Sequence, residues 1–143
     1  MNILITGATG FIGSNLIRSK YLKKNKIYCL YRNKKKKLFK KDNITWFKGS
    51  LNKNNKKIFK KIDLIIHLAS HSTNPPYDSL DKCLLWNLHA PFKFFNNAYH
   101  NGIKKFIVIG TGFEYGDSCK KYTKIPTSAP LQPTTTYAVS KAA

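Results

Sequence analysis

Glycines at three-residue intervals, placed between an apolar run and an amphipathic stretch, constrain this chain more than any other feature of its sequence. The apolar run covers residues 1–6, and Thr6-Gly7-Ala8-Thr9-Gly10-Phe11-Ile12-Gly13 leads from it into a helical pattern. One such glycine permits a tight turn, one lets a pyrophosphate approach the backbone, and one lets the helix pack closely on the strand. The N–H groups that begin the helix attract phosphate. The segment therefore predicts a dinucleotide-binding turn, with a plain strand-to-helix turn as the alternative.

Short apolar runs alternate with amphipathic stretches along the rest of the chain. The predicted strands are residues 1–6, 27–31, 44–47, 63–69 and 106–109. The predicted helices are residues 11–23, 52–60, 80–100 and a last one that begins near 133–135, after a long loop at 110–130. Strands joined by crossover helices predict an α/β fold with a doubly wound parallel sheet, the Rossmann fold. Because the last helix is still running at Ala143, we expect residues 1–143 to be one incomplete domain, truncated after the fifth strand.

The composition is that of a globular protein without a membrane segment. The chain has 143 residues, of which 42% are hydrophobic, enough for one domain with a core. No run approaches the roughly 18 apolar residues of a membrane span, and the apolar start breaks too soon for a signal peptide. Cys29, Cys83 and Cys119 are odd in number and have no ligand-like spacing with the histidines. We therefore expect a cytoplasmic protein without disulfides or a bound metal.

The formal charge of +20 comes from 26 basic and six acidic residues. Only Arg18 and Arg32 are arginines, whereas proteins that read bases rely on the bidentate arginine fork. The lysines accompany many asparagines, which a compositional bias of the genome explains, and the lysine run at 34–37 is interpreted as a solvated loop. Lysines alone give weak, salt-sensitive phosphate binding. Nucleic acid is thus not the expected main partner, and a binding module with an RNA-contacting basic surface is kept as the alternative function.

Five segments resemble, in the correct order, the motifs of the extended short-chain dehydrogenases, the NAD-dependent epimerases, dehydratases and reductases of nucleotide sugars. Residues 6–13 look like the TGxxGxxG motif of that family. The other four are His67-Leu68-Ala69-Ser70 (HxAA), Asn87 (the helix asparagine), Thr111-Gly112-Phe113-Glu114-Tyr115-Gly116 (Ser/Thr-xxx-Tyr-Gly) and Tyr137-Ala-Val-Ser-Lys141 (YxxxK). The resemblance covers almost the whole chain. It implies a nicotinamide cofactor, a nucleotide-sugar substrate and, for the full-length family member, a homodimer.

The same resemblance implies which residues hold the cofactor. They are Gly7, Thr9, Gly10, Phe11, Ile12, Gly13, Arg32, Leu68, Ala69, Asn87, Tyr137 and Lys141. At the end of the second strand an acidic residue favours NAD, whereas an arginine holds the 2′-phosphate of NADP. This chain has Tyr31-Arg32-Asn33 there, without a carboxylate. We therefore expect NADP in preference to NAD, with a plain surface arginine as the alternative interpretation of Arg32.

The catalytic residues are expected to be Thr111, Tyr137 and Lys141. Tyr137 and Lys141 stand four residues apart, so a helix places them on one face. A nearby ammonium stabilises the tyrosine phenolate and makes the phenol a usable proton donor near neutral pH. By resemblance, Lys141 also holds the nicotinamide ribose and Thr111 offers its hydroxyl to the reacting oxygen. The alternative is an accidental tyrosine–lysine pair in a lysine-rich helix.

Asn87 carries an additional local signal. Pro91, four residues later, cannot donate a hydrogen bond to the Asn87 carbonyl and pushes against it. We expect the carbonyl to be turned towards a water near Lys141, as the family suggests. A simple break of the helix is the alternative.

The residues after Thr111 narrow the reaction. The 4,6-dehydratases of the family carry an Asp-Glu pair there, and this chain has Gly112 and Phe113. Glu114, one position further, is expected on another face of an extended segment. The sequence therefore favours a 4-keto-6-deoxy sugar nucleotide reductase, then a 4-epimerase, over water elimination, and a non-catalytic remnant is also kept. His67 is expected to be a packed strand residue, and the spacing of the other histidines suggests no site.

Overall fold

A computed structural model describes residues 1–32, 38–53 and 55–143. The chain divides into two compact units. Unit 1 comprises Met1–Ala69 and Phe92–Ile109, and unit 2 comprises Ser70–Pro91 and Gly110–Ala143. The lysine run that we interpreted as a solvated loop lies outside the described residues, as does Asn54 within the helix predicted at 52–60.

Unit 1 is built on a five-stranded sheet with the order β3-β2-β1-β4-β5. The strands are β1 Asn2–Thr6, β2 Lys26–Tyr31, β3 Ile44–Lys48, β4 Leu64–His67 and β5 Phe106–Val108. Every pairing is parallel, which confirms the predicted doubly wound sheet. The strand order reverses next to β1, and in such sheets ligands bind at the carboxyl ends of the strands around that reversal.

Both faces of the sheet are covered within unit 1. Successive residues of a strand point to opposite faces, so β1 serves two cores. Ile3 and Ile5 belong to one core with Ile17 of helix α1 (Phe11–Arg18). Leu4 belongs to the other core, which contains Phe94 from helix α4 (Ala90–His100). Apolar residues on both faces explain why the central strands have continuous apolar sequences.

Two helices of unit 1 are shorter than predicted. Helix α1 ends at Arg18 instead of residue 23, because Ser19 adopts an extended conformation with φ −64° and ψ 157°. A 3-10 turn, Lys20–Leu22, follows it. Helix α2 covers only Lys56–Phe59 of the predicted 52–60. Lysines fit a helical pattern as well as they fit an exposed turn, so the sequence pattern overstates the length of both helices.

Unit 2 contains helix α3 (Leu80–Leu84), a π-helical segment (Leu85–His89) and helix α5 (Thr136–Ala142). The helix predicted at 80–100 is thus present as three consecutive pieces, with α4 as the last. The prediction of a long loop at 110–130 is wrong in its first half, where Gly112–Lys121 forms a 3-10 helix interrupted at Gly116, whose φ is 47°. Reciprocal capping between Thr111 and Glu114 starts this helix.

The described residues include no helix that is long and apolar enough to cross a membrane. The thiols of Cys29 and Cys83 are buried and that of Cys119 is exposed, and all three are free. Burial raises the pKa of Cys29 to about 12. In the described ranges no three His, Cys, Asp or Glu side chains are grouped closely enough to hold a metal ion.

Candidate cofactor and catalytic site

Gly7, at the end of β1, has the geometry that only glycine accommodates. Its φ is +72°, and a Cβ there would lie 2.5 Å from the Ala69 amide nitrogen and 2.6 Å from the Leu68 carbonyl carbon. The backbone after β4 therefore packs directly against the glycine turn. Leu68 and Ala69, predicted as cofactor residues, are thus brought together with Gly7.

Gly10 and Gly13 complete the turn and begin the helix. The Gly10 N–H donates to the Gly7 carbonyl at 2.9 Å, and Gly10 is the N-cap of α1, without a side-chain cap. A Cβ on Gly13 would overlap the Gly7 carbonyl oxygen. The first turn of α1 therefore offers backbone N–H groups for which no side chain competes, which suits a phosphate. Phe11 in that turn is 86% exposed, next to the place where the pyrophosphate is expected.

Thr6 and His67 join the ends of β1 and β4 beside this turn. Thr6 Oγ1 and His67 Nδ1 are 2.7 Å apart, both residues are buried, and the Ala69 N–H donates to Thr6 Oγ1 at 3.4 Å. The His67 ring packs edge-on against Phe95, with a centroid distance of 5.1 Å. His67 is therefore a packed strand residue, as predicted.

The remaining predicted cofactor residues of unit 1 lie at the same edge of the sheet. Arg32 directly follows β2 and is exposed. The half-buried Thr9 and the exposed Ile12 lie on either side of the start of α1. Carboxyl ends of parallel strands meet at one edge, so β1, β2 and β4 present these residues together, as the predicted dinucleotide site requires.

In unit 2, Tyr137 is buried near the start of α5. The N-cap Thr135 accepts from the Ala138 N–H at 3.1 Å, and the Thr136 hydroxyl donates to the Asp78 carbonyl at 2.8 Å. The Tyr137 ring stacks on Tyr77, with centroids 6.1 Å apart and an interplanar angle of 7°. The loop before α3 therefore fixes both the helix start and the phenol ring that α5 carries.

The Asn87 side chain ties together three segments of unit 2. Its Nδ2 donates to the Ser140 hydroxyl at 2.9 Å and to the His71 carbonyl at 3.1 Å. Its Oδ1 accepts from the His71 N–H at 2.7 Å and from the Ser70 hydroxyl at 3.3 Å. The Ser140 hydroxyl in turn donates to the Tyr137 carbonyl at 2.7 Å. The asparagine thus connects the backbone after β4 to the helix that bears Tyr137 and Lys141.

The helix around Asn87 is neither broken nor regular. The Ala90 N–H donates to the Leu85 carbonyl, five residues back, and the π-helical segment Leu85–His89 is centred on Asn87. Pro91 lies just after this segment and has no N–H to continue the α-helical register. The predicted role of the Asn87 carbonyl towards a water near Lys141 stays a prediction. The Asn87 side chain has a structural role, because it joins the backbone at His71 to helix α5.

Thr111, Glu114 and Lys141 form the second part of the unit 2 site. Glu114 Oε1 accepts from the Thr111 N–H at 2.8 Å, and Thr111 Oγ1 accepts from the Phe113 N–H at 3.4 Å. Burial lowers the pKa of the Lys141 ammonium, and the negative charge of Glu114 opposes that shift. Our expectation that Glu114 turns away on an extended segment is therefore wrong, because the segment is a 3-10 helix and brings the carboxylate back over Thr111.

A charged cluster at the loop before α3 was not predicted. His71 Nε2 lies 3.1 Å from Asp78 Oδ2, and Lys82 Nζ lies 3.1 Å from Asp78 Oδ1. Hydrogen bonds from Lys82, from the Ser79 N–H and from His71 hold the pKa of Asp78 below its usual range. The cluster stabilises the loop that carries Tyr77, so its role here is in holding the site.

Of the residues that sequence reasoning missed, only Glu114 had a local signal. Thr-x-x-Glu before a helix is the capping-box pattern, and Thr111 with Glu114 fits it. Tyr77, Ser140 and the carbonyl group of Asp78 contact partners far away in the chain. The sequence by itself holds no periodicity that reveals such pairs.

A model of the NAD dependent epimerase/dehydratase family matches residues 3–143. The dTDP-D-glucose 4,6-dehydratase of Mus musculus is 30% identical over 99% of this chain and 43% of its own length. The dTDP-4-dehydro-6-deoxyglucose reductase of Escherichia coli is 30% identical over 97% of this chain and 47% of its own length. The chain therefore spans less than half the length of these two curated relatives.

Solved structures show the same fold. The UDP-N-acetylglucosamine 4-epimerase of Methanobrevibacter ruminantium M1, solved with UDP-N-acetylmuramic acid, has a TM-score of 0.84 and 28% identity, and the match covers 99% of this chain and 47% of the epimerase. The enzyme WbmG of Bordetella bronchiseptica, solved with NAD, has a TM-score of 0.80 and 24% identity over 99% of this chain and 47% of its own. At that identity, the second likeness concerns the fold alone.

Proposed function

We propose that this chain, which belongs to the NAD dependent epimerase/dehydratase family, is part of an enzyme that transfers hydride between a nicotinamide cofactor and a sugar carbon of a nucleotide sugar. Within that class we favour reduction of a 4-keto-6-deoxy sugar nucleotide, with 4-epimerisation as the next candidate. The Escherichia coli relative is a reductase of a 4-dehydro-6-deoxy sugar nucleotide, and the unit 2 residues support the same chemistry.

The residues of unit 1 fit a dinucleotide. Gly7 and Gly13 leave no room for side chains, and the start of α1 has no side-chain cap, which leaves its N–H groups for the pyrophosphate. Leu68 and Ala69 would hold the cofactor from the β4 side. When bound, the nicotinamide supplies the hydride of the reaction.

We propose NADP as the preferred cofactor, with NAD as the alternative. The exposed Arg32 follows β2, at the position from which an arginine reaches the 2′-phosphate. The segment Tyr31-Arg32-Asn33 contains no carboxylate that could accept a hydrogen bond from a ribose hydroxyl. Both features favour a phosphorylated ribose.

In unit 2 we assign the proton of the reaction to Tyr137. Its ring is held by Tyr77 and its helix by Asn87 through Ser140, so its hydroxyl has little freedom to move. The Lys141 ammonium, on the same helix, stabilises the phenolate that forms when Tyr137 gives up its proton. Thr111 Oγ1 already accepts from the Phe113 N–H, which leaves the hydroxyl hydrogen to donate to the sugar oxygen.

We favour reduction over elimination of water because Glu114 accepts a hydrogen bond from the Thr111 N–H. Elimination of water needs an acid and a base beside the sugar, and the two positions after Thr111 are Gly112 and Phe113. Glu114, the next carboxylate, is committed to the backbone at 2.8 Å. Asp117, the last one of this helix, forms an ion pair with Lys120 at 2.6 Å. A reductase needs no such pair.

The test is turnover of a dTDP-4-keto-6-deoxy sugar with NADPH, followed by the loss of nicotinamide absorbance, beside dTDP-glucose with NAD as the dehydratase substrate. We expect oxidation of NADPH in the first assay and no 4-keto product in the second. Tyr137→Phe should reduce turnover about 10²- to 10⁴-fold, while NADPH binding changes little because the ring is kept.

Undiminished turnover by Tyr137→Phe, or efficient dehydration of dTDP-glucose, would contradict this mechanism. NADPH binding without turnover of any sugar nucleotide would favour the non-catalytic remnant. The homodimer stays a proposal that follows from the family resemblance, and the cytoplasmic location stays one that follows from the sequence.

A further inference from the structure

The positive charge of the chain is confined almost entirely to unit 1. This unit holds 21 of the 26 basic residues and only two acidic ones, Asp42 and Asp63. Unit 2 holds five basic and four acidic residues. A compositional bias of the genome acts on the whole chain and would enrich both units in lysine. The uneven distribution therefore calls for a cause specific to unit 1.

Nine of the 19 lysines of unit 1 lie at the edge of the sheet where the strands begin. The amino ends of parallel strands lie side by side, and lysines stand at or just before four of the five strands. We name this set the amino-edge stripe; it consists of Lys23, Lys24, Lys26, Lys40, Lys41, Lys60, Lys61, Lys104 and Lys105. All are exposed except the half-buried Lys41.

Hydrogen bonds join the segments that carry the stripe into one continuous edge. The Lys26 N–H donates to the Met1 carbonyl at 3.0 Å, beside the amino terminus of the chain. Asn2 Nδ2 donates to the Lys61 carbonyl at 2.6 Å, and the Ile65 N–H donates to the Lys105 carbonyl at 3.0 Å. The lysines before β2, β4 and β5 are thus held in register by the sheet.

We propose that the amino-edge stripe binds the phosphate backbone of single-stranded nucleic acid without sequence preference. Five strands at their usual spacing extend the stripe over about 19 Å, which suits a linear polyanion better than one phosphate group. The near absence of arginine matches a backbone binder, because lysine acts on phosphates as a point charge and lacks the bidentate fork of arginine.

Two exposed tyrosines at the same edge supply platforms for bases. Tyr21, in the turn before β2, is 80% exposed, and Lys20 Nζ lies 5.9 Å from its ring centroid. Tyr99, near the end of α4, is 52% exposed, and Lys104 Nζ lies 3.6 Å from its ring centroid. Basic surface with exposed aromatic rings is the combination by which proteins bind single strands, since every base can stack on a ring.

The proposed surface is separate from the dinucleotide residues of unit 1. The glycine turn, Arg32 and Ala69 follow the carboxyl ends of the strands, whereas the stripe precedes their amino ends. Binding of nucleic acid should therefore neither need nor exclude the cofactor. Binding of nucleic acid by the amino-edge stripe does not depend on the proposed enzymatic function.

The test is the affinity of the whole chain for fluorescein-labelled poly(U) RNA as a function of salt. The stripe variant replaces Lys23, Lys24, Lys60, Lys61, Lys104 and Lys105 by glutamine. The control replaces as many exposed lysines that do not belong to the stripe, namely Lys48, Lys53, Lys57, Lys93, Lys121 and Lys124, so that both variants lose the same net charge. Circular dichroism confirms that each variant is folded.

We expect the stripe variant to lose affinity at least about tenfold more than the control. The slope of log Kd against log salt should fall by about 0.7 for each lysine–phosphate contact removed. Poly(U) and poly(A) should bind alike, and single-stranded DNA should bind like RNA. Tyr21→Leu with Tyr99→Leu should weaken single-stranded binding about tenfold and leave duplex binding unchanged.

An equal loss in the stripe variant and the control would show that the charge acts diffusely, and would overturn the proposal. So would an unchanged salt slope, or duplex bound more tightly than single strand. Vesicles rich in phosphatidylserine are the last arm. If they compete through the stripe more strongly than poly(U), the ligand is a membrane surface and the proposal is wrong.

Discussion

The candidate functional groups of unit 1 and unit 2 are of different chemical kinds. In unit 1 the decisive groups are backbone atoms, brought close by glycines at positions 7 and 13. In unit 2 they are side chains, held by hydrogen bonds such as that between Asn87 and Ser140. A site made of backbone fails when a side chain is added, whereas a site made of side chains fails when one is removed.

The first prediction tests the backbone side of this contrast. Gly7→Ala should lower the free energy of unfolding by about 3 kcal/mol, since a Cβ at positive φ is strained and also collides with the Ala69 amide. NADPH binding should weaken at the same time, because relief of the collision moves the turn. Urea unfolding followed by circular dichroism and an NADPH titration measure the two effects.

Gly102→Ala is the matched control. Gly102 also lies in unit 1 with φ +95°, but a Cβ there would meet nothing within 4 Å. Its substitution should cost only the strain of the positive φ, about 1 kcal/mol, and leave NADPH binding unchanged. If the two substitutions lower the free energy of unfolding equally, the close approach of the Ala69 backbone is not the reason for glycine at position 7.

Much of the fold could be predicted because its determinants are local. The apolar run of β1 and the glycines after it lie within thirteen residues, and each remaining strand has its own apolar run. The predicted helix to residue 23 was wrong because lysines fit a helical pattern as well as an exposed turn. The 3-10 helix at Gly112–Lys121 was missed because its sequence has no helical apolar period.

The second prediction tests the side-chain network. Asn87→Ala removes all four hydrogen bonds of the side chain and leaves the His71 backbone groups without these partners. The expected cost is about 2–3 kcal/mol. Hydrogen exchange should become faster in peptides of residues 70–91 and 136–143, while peptides of the glycine turn keep their protection.

Asn96→Ala provides the comparison, since Asn96 is an exposed helix residue of α4. Its stability should stay within about 0.5 kcal/mol of the parent. Asn87→Asp keeps the acceptors for His71 and Ser70 and loses the donors, so its effect should lie between the two. If Asn87→Ala reduces the protection against hydrogen exchange equally in both units, the Asn87 side chain does not stabilise unit 2 in particular.

The candidate site was predictable as a set of residues but not as a network. Thr111, Tyr137 and Lys141 were predicted from the motif spacing. The contacts that hold them were not predicted, because Asn87 and Ser140 are 53 positions apart and Thr136 and Asp78 are 58 apart. Contacts at such separations depend on the path of the chain, which local patterns do not encode.

The third and smallest prediction concerns Glu114, whose negative charge acts on Lys141 in unit 2. Glu114→Gln keeps an oxygen that can accept from the Thr111 N–H, so the cap should weaken by only about 0.5 kcal/mol. Without the carboxylate, the charge of Glu114 no longer opposes the effect of burial, and the pKa of Lys141 should fall further. Glu114 stabilises the charged lysine, so this part of the stability is present below the pKa of Lys141 and is lost as the pH rises through that pKa.

The alkaline limb of the pH dependence of kcat/KM should accordingly move to lower pH in Glu114→Gln, because our mechanism needs the Lys141 ammonium. Asp117→Asn removes a carboxylate from the same 3-10 helix, but that carboxylate pairs with the exposed Lys120, so the limb should stay in place. A limb that moves equally in both variants would reflect the net charge of unit 2. A limb that moves only in Glu114→Gln would identify Lys141 as the titrating group. Side-chain charge, which has no part in the glycine turn of unit 1, would then be what adjusts the chemistry of unit 2.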